Sequence, residues 1–554
     1  MGKAAAGSSL LSSIWLALLS GALIGLAFPP ADLKPLAWIG LVPLLAALTS
    51  STSLRRSALL GYLAGLVFFL INLHPLVSAH SWTGWAAEPA AVFARRMSRQ
   101  VIFMNLIWTS FAVWCATFWA AWALVTHWLT RRRHGWLVLV APAAWILLPE
   151  WTRSQTTFGF TWGFLGNATA DVPVIRQAAA LGGIWPLSAL IVAVNVALFE
   201  IWRQRERPGW ARRVAAITAL VVAVGIGGTV YMETSRSGPE IPTAVVQHAK
   251  ENYNTSDFSE TGLDRGYFLY IRKALSEKAK LIMLPESIAV GATSLDGTPS
   301  NAKPAEWTFP LARWNTQLGQ VLQGSGAVLV LGVDTVEAGE DHNTLVAWTE
   351  QGALGWYHKR RLVPFSEYNP GGWGPLAIRG KSQYAFGRGS QLIRTPVAVL
   401  GGFICQEVLV PWVTRASVRD GATLLVTGGN DGVFGDPAVA RVHADAAQLR
   451  AVESGRYIAR AMKTGISSII DPHGRELVRS RSAESVVLPG SLRAREGLTP
   501  YVRYGDWMVW LAAGWLLSLM AVHFTTTVGV SYNKISNQTI SGGPMRPARG
   551  PSAR

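Results

Sequence analysis

Apolar residues gather into long runs over the first 231 positions and again at 506–525, and between these regions the runs shorten and alternate with polar stretches. A helix crossing a bilayer needs roughly 17–25 predominantly apolar residues. Candidate segments occupy 10–28, 34–50, 57–77, 101–129, 136–150, 180–201, 211–231 and 506–525. The fifth is short and reads as a tilted or partly buried segment. Lys3 ahead of the first run resembles the start of a signal peptide, but no convincing small-x-small cleavage site follows. LAFPPADLKPLAW leads straight into the second run, so the first is read as an uncleaved helix. About seven spans are thus expected over 1–231 and one more at 506–525.

The block 232–505 carries short β-like runs: AVVQ at 244–247, LIMLP at 281–285, AVLVLGV at 327–333, VAVLGGFIC at 397–405 and ATLLVTG at 422–428. Helix-like stretches at 262–279 and 437–454 lie between some of them. Short buried strands alternating with helices predict a layered α/β domain. At about 270 residues it can bury its own core. The tail 526–554 is polar and ends rich in Gly and Pro, which predicts disorder.

Composition supports this division. Half of the 554 residues are hydrophobic, 15% are charged and 25 are Trp. A net charge of +17 would suit a nucleic-acid partner. The basic residues instead form short clusters beside apolar runs: Arg55-Arg56, Arg131–Arg133 and Arg203–Arg213. That is the pattern of topology signals, and nucleic acid is not expected as a partner. With the N-terminus in the cytoplasm, these clusters and the tail's Lys534, Arg546, Arg549 and Arg554 all fall inside. Arg95, Arg96 and Arg99 run against the trend. The block 232–505 is then expected outside the cytoplasm. The chain has two cysteines, Cys115 in an apolar run and Cys405 far away, so no disulfide framework is expected.

Three residues at predicted strand ends could carry chemistry. Glu286 follows LIMLP, Lys359 sits in GWYHKRRLVPFSEY, and Cys405 ends VAVLGGFIC. In α/β domains ligands bind outside the carboxyl ends of strands. A cysteine acting as nucleophile near neutral pH needs a base and a charge-stabilising neighbour. A carboxylate and an ammonium supply these. Taken singly, each residue has a plainer reading. A cysteine after an apolar strand is more often a small core residue, Glu286 a solvated charge or helix cap, and Lys359 one member of an exposed basic run.

The order and context of these motifs resemble the nitrilase superfamily, with its Glu-Lys-Cys triad on an α-β-β-α sandwich. More closely, the chain resembles the apolipoprotein N-acyltransferase family, the membrane-bound branch. LAFPPADLKPLAWIGLVPLL resembles that family's first helical hairpin, PEWTRSQTTFGFTWGFLGNA its re-entrant outer loop, and YHKRRLVPFSEYNP its lysine motif. GGNDGVFGDPAVARVHADAAQLRAVESGRYIARAMKTGISSIIDPHG resembles the C-terminal catalytic half, and GLTPYVRYGDW the lead into a final span.

The resemblance implies an α-helical transmembrane bundle plus an α/β nitrilase-like sandwich. It makes Glu286 the general base, Lys359 the oxyanion-stabilising residue and Cys405 the nucleophile, with a backbone N–H near Gln406 as a further oxyanion donor. Glu367 matches a supporting carboxylate and Glu407 another important acid, both open between chemistry and structural hydrogen bonding. A phospholipid is the implied acyl donor, a thioester on Cys405 the intermediate, and the amine of an S-diacylglyceryl-cysteine on a lipoprotein the acceptor. No cofactor or metal is expected; His358 and His443 read as solvated or hydrogen-bonded.

Three positions differ from the usual pattern: Gln406 replaces Tyr, Val433 replaces Trp and Thr464 replaces Asn. They keep alternatives open. One is a TraB-like conjugal-transfer protein acting on another acceptor; another is an extracytoplasmic amidase. A structural protein with a vestigial site and a transporter are the remaining readings.

Overall fold

The structure is a computed structural model that describes residues 10–78, 90–131, 134–156, 160–203, 237–249, 258–301, 303, 307–364, 366–368, 383–434 and 436–540, with isolated positions between 219 and 227. Helices α1 (Leu10–Leu26), α2 (Val42–Thr49), α3 (Leu54–Asn72), α4 (Ala90–Thr130), α5 (Leu137–Trp145) and α6 (Trp185–Arg203) form the N-terminal part. Among the described residues, four helical stretches are long and apolar enough to cross a membrane: Leu54–Asn72, Met104–Thr130, Trp185–Arg203 and Trp507–Thr525. The first two expected spans form shorter apolar helices, and 211–231 lies almost wholly outside the described residues.

Small residues let these helices pack closely. A Cβ on Gly61 of α3 would lie 2.4 Å from Ala123 Cβ of α4, and one on Gly21 of α1 would strike the Ala64 carbonyl of α3. Lipid offers no hydrophobic reward for helix association, so such close contacts carry it.

The short fifth segment has a local cause. Pro142 and Pro149 interrupt its hydrogen-bond ladder, and after α5 the chain widens into a π-turn over Ile146–Thr152. This turn places Glu150 and Arg153 inside the bundle. Glu150 accepts from Trp145 Nε1 at 3.0 Å and Leu165 N at 2.8 Å. Arg153 donates to the carbonyls of Pro149, Phe160 and Trp162, and its guanidinium faces the Phe69 and Phe164 rings. The two buried charges thereby hold the following loop against the helices.

The second part is an α-β-β-α sandwich. One sheet contains β1 (Ser237–Gln247), β2 (Leu281–Met283), β3 (Ala292–Ser294), β4 (Thr308–Pro310), β5 (Val328–Glu337), β6 (Glu340–Thr349), β7 (Gly352–His358) and β14 (Val486–Arg495). Its order is β14-β1-β2-β5-β3-β4, with β6 paired on β5 and β7 on β6. The other contains β8 (Ile393–Arg394), β9 (Val399–Ile404), β10 (Leu424–Gly429), β11 (Ile458–Met462), β12 (Ser468–Ile470) and β13 (Glu476–Arg479), ordered β13-β12-β11-β10-β9-β8. Alternation sends Val328, Val330, Leu345 and Ala347 into the core between the sheets. Their neighbours Leu329, Leu331, Val346 and Trp348 pack with helices α7 (Gly266–Ser276) and α8 (Leu311–Leu322) on the outer face. Helices α9 (Pro411–Arg419) and α10 (Pro437–Ser454) flank the second sheet.

The helical part and the sandwich are joined by polar contacts. Lys34 pairs with Asp445 on α10 at 2.9 Å and with Asp171. Arg441 donates to the Pro30 carbonyl, and Arg176 to Gln448 and to the His473 carbonyl. The final helix α11 spans Trp507–Ile540, so it runs past 525 into the stretch expected to be disordered. No proline stands between Pro500 and Pro544, and a helix nucleated in the apolar segment can propagate. Residues 541–554 lie outside the described set.

Two glycines fix how tightly the sheets close. A Cβ on Gly332 of β5 would lie 2.6 Å from Glu286 Cα, and one on Gly428 of β10 would lie 3.0 Å from Glu286 N. The Pro285-Glu286 backbone is thus wedged between the sheets. Gly332→Ala is expected to cost about 1–3 kcal/mol by overpacking and to lower the thermal midpoint in detergent micelles. Gly514→Ala on α11, whose added methyl meets nothing, should leave the midpoint unchanged or raise it.

Candidate active site

Glu286 leaves the end of β2 and is 6% exposed. Asn343 of β6 donates to its Oε1 at 2.6 Å, and Lys359 Nζ lies 3.9 Å from the same oxygen. Lys359 immediately follows β7 and shares the inward parity of Tyr357, which carries it between the sheets. Its second carboxylate is Glu367, at 2.7 Å. Glu367 is fixed in turn by Asn343 Nδ2 at 3.3 Å and by Val363 N at 2.7 Å.

Cys405 directly follows β9 with a φ of +52°, a left-handed conformation that is uncommon outside glycine. In this conformation the thiol lies near enough to Glu286 and Lys359 for both to act on it electrostatically. The three residues expected to form a triad therefore meet, although they come from three separate strand ends.

The charges follow from burial and from one another. Burial pushes the Glu286 carboxyl above the usual range, Lys359 pulls it down and Glu367 pushes it up. Burial works against the Lys359 ammonium, but Glu367 and Glu286 hold it charged well above the ordinary lysine range. The Cys405 thiol is pushed well up by burial and by Glu286, with Lys359 opposing. Burial therefore favours the neutral thiol at Cys405.

Glu407 brackets two backbone segments. Its Oε1 accepts from Arg360 N and Arg361 N, each at 2.8 Å. Its Oε2 accepts from Ile404 N at 2.8 Å and from Tyr357 Oη at 2.9 Å. One carboxylate thus ties the backbone before Cys405 to the backbone after Lys359.

Asn343, Tyr357 and Asp431 were not singled out by the sequence. A polar residue inside the strand DHNTLVAW was the available signal for Asn343. Asp431 Oδ1 meets His443 Nδ1 at 2.7 Å, and its Oδ2 meets Arg460 at 3.3 Å. Burial opposes the Asp431 charge, but His443 and Arg460 hold its carboxyl below the usual range. His443, read as solvated or hydrogen-bonded, is fully buried and hydrogen-bonded. Thr464 approaches Gly432 so closely that a Cβ there would overlap its hydroxyl.

An apolar cleft with about 1020 Å³ of empty space, part of it open to the outside, is lined in part by Gln406, the residue after Cys405. Leu73, Met104, Trp108 and Phe111 from the membrane helices form one wall. Gln406, Leu409, Val410 and Phe434 from the sandwich form the other, with Arg361 and His443 among its few polar groups. Gln406 is therefore a cleft residue, and its Nε2 lies 3.5 Å from the Arg361 carbonyl.

Glu407→Gln tests the bracket. Whichever way the amide is turned, its NH₂ faces at least one backbone N–H. The variant should lose about 1–3 kcal/mol, seen as earlier thermal unfolding in micelles.

The profile of the apolipoprotein N-acyltransferase N-terminal domain matches residues 20–197, and that of carbon-nitrogen hydrolases matches 243–492. An apolipoprotein N-acyltransferase from Gloeobacter violaceus is 31% identical over 90% of this chain and 92% of its own length. The namesakes from Geobacter metallireducens and Pseudomonas syringae pv. tomato are 27% and 28% identical, covering 92% and 93% of this chain and 95% and 97% of theirs. Among solved structures, a mutant of the Nesterenkonia AN1 amidase from the nitrilase superfamily aligns with a TM-score of 0.35 at 19% identity, over 49% of this chain and 96% of its own. A carbon-nitrogen hydrolase from Helicobacter pylori G27 gives 0.35 at 17%, over 48% and 93%. Matched along nearly its whole length by relatives of one kind, this membrane protein belongs to the apolipoprotein N-acyltransferase family.

Proposed function

We propose that the protein transfers an acyl chain from a phospholipid, through a thioester on Cys405, to the N-terminal amine of an S-diacylglyceryl-cysteine on a lipoprotein. The observation that carries this reading is the convergence of Glu286, Lys359 and the Cys405 thiol beside an apolar cleft walled by membrane helices. The family's own name supports the acceptor.

In the first step Cys405 Sγ attacks the ester carbonyl and Glu286 takes the thiol proton. Lys359, with a backbone N–H near Gln406, stabilises the oxyanion. The C–O bond breaks, Glu286 returns the proton to the departing lysophospholipid, and the acyl group remains on sulfur. In the second step the acceptor amine attacks the thioester, Glu286 takes a proton from nitrogen, and the thiol is restored. Glu367 supports by keeping Lys359 charged and aimed.

Cys405 is 6% exposed, and the cleft beside it is lined mainly by apolar side chains. Such a site disfavours water as the second acceptor, which weighs against the amidase reading. The match of residues 20–197 to the acyltransferase N-terminal domain weighs against both the amidase and the conjugal-transfer alternative.

The proposed arrangement has residues 1–231 and 506–525 in the bacterial inner membrane and 232–505 on the periplasmic side. Two observations support the orientation. The basic Arg56, near the start of α3, donates to Ser13 near the start of α1. The opposite ends of the same helices, at Pro30–Lys34 and Leu73, face the sandwich or its cleft. The basic clusters expected inside therefore lie away from the catalytic part.

Incubation with phospholipid vesicles should add one acyl mass to the intact wild-type protein. Hydroxylamine should remove it, and Cys405→Ser should not acquire it. A wild type that stays unmodified would refute the first half-reaction. The rate of thioester formation should also depend on pH. Glu286 must be ionised to accept the proton, and burial raises its pKa. The rate is therefore expected to fall on acidification with a midpoint above the ordinary carboxylate range, measured by single-turnover mass spectrometry. A midpoint at or below about 4.3, the unperturbed value, would remove Glu286 as base.

A further inference from the structure

The alternation that turns Asn343 and Lys359 toward Glu286 turns their chain neighbours the other way. His342 and His358 therefore share the reverse face of the sheet. Register extends that face to Thr344 opposite His358, and to Thr335 opposite His342 on β5, with Glu337 two residues further along β5.

One ligand atom from each of Glu337, His342 and His358 lies within 4.8 Å of the others. His358 Nε2 is 3.0 Å from Glu337 Oε2, and the two imidazoles stack with centroids 4.1 Å apart. Both histidines are buried, while the Glu337 side chain is 41% exposed and gives access from solvent.

The outer hydrogen bonds set which nitrogens are available. His342 Nδ1 lies 3.2 Å from the Ala385 carbonyl. A carbonyl only accepts, so Nδ1 carries the proton and Nε2 presents a lone pair. His358 Nδ1 lies 2.8 Å from Thr344 Oγ1, which is 2.6 Å from Thr335 Oγ1. This hydroxyl relay can accept an Nδ1 proton, which frees His358 Nε2 beside the Glu337 carboxylate. Without a metal, a proton on His358 Nε2 bridges to Glu337. On metal binding that proton moves to Nδ1 and no net proton is lost.

We propose that Glu337, His342 and His358 form a site for a divalent transition metal of the zinc type, on the reverse of the strands that carry Asn343 and Lys359. Two neutral imidazoles and one carboxylate, with water completing the shell, form a ligand set suited to zinc. The Ala385 carbonyl and the Thr344 hydroxyl are the outer partners that orient such histidines. Zinc ligand atoms lie about 2 Å from the metal, so binding requires the stacked rings to turn toward a common centre.

The metal would join three adjacent strands immediately behind the chemistry. Lys359 follows His358 directly, and its carbonyl accepts from Gly387 N at 2.8 Å. Tyr384 N donates to the Glu367 carbonyl at 2.9 Å. Fixing His342 against Ala385 and His358 therefore stiffens the arms that hold Lys359 and Glu367.

The test is calorimetric titration of Zn²⁺ into the full chain, purified in micelles without a polyhistidine tag and pretreated with chelator. One site is expected that loses at least tenfold in affinity in His342→Gln and about 10–100-fold in Thr344→Val. Zinc should also slow hydrogen exchange over residues 384–387. Equal affinity in the wild type and both variants would overturn the proposal. Should His342→Gln fail to fold, Glu337→Gln at the exposed edge makes the same comparison, and an unchanged affinity there overturns it. Zinc binding is read directly, so failure here leaves the acyl-transfer reading untouched.

Discussion

A single ammonium group, Lys359, is buried between two carboxylates, and the rest of the site is arranged around keeping it there. Removing a charge from water costs several kcal/mol unless partners of opposite sign and good geometry replace the solvent. Glu286 and Glu367 supply the charge, Asn343 bridges both of them, and Val363 N holds Glu367 in place. Two carboxylates for one ammonium leave a net negative balance beside Cys405. Burial, reinforced by Glu286, keeps the thiol protonated, and Glu286 offers its proton a nearby destination. The same cluster favours a transition state in which negative charge moves to an oxygen next to Lys359.

Holding this cluster demands a stiff frame. The close approach permitted by Gly332 and Gly428 brings the Glu286 backbone between the sheets, and Glu407 ties the two arms that carry Lys359 and Cys405. The positive φ at Cys405 is tolerated because Ile404 and Arg360 are both pinned by one carboxylate. Positional precision is bought with local strain at this strand end.

Much of this was legible in the chain, for identifiable reasons. Long apolar runs report burial in lipid or in a bundle, so α3, α4, α6 and the start of α11 could be placed from hydropathy. The runs at 281–285, 397–405 and 422–428 are buried on both faces and stand out as β2, β9 and β10. Strands β6 and β7 mix inner and outer environments with polar site residues, so DHNTLVAW and GALGWYH gave no clean period. The triad was reached through motif likeness, because convergence of three distant strand ends is a tertiary fact that spacing does not encode. Asn343, Tyr357 and Asp431 were missed for that same reason. His358 looked solitary because its companions His342 and Glu337 are neighbours only through sheet register.

The cleft has walls of two origins, helices on one side and sandwich on the other. Under the proposed chemistry, both reactants already reside in the bilayer and reach the thiol by sliding along it. Encounter is then a problem in two dimensions. Turnover scales with the surface density of donor and acceptor, and diluting the membranes in buffer leaves it unchanged, while enriching the bilayer with inert lipid slows it.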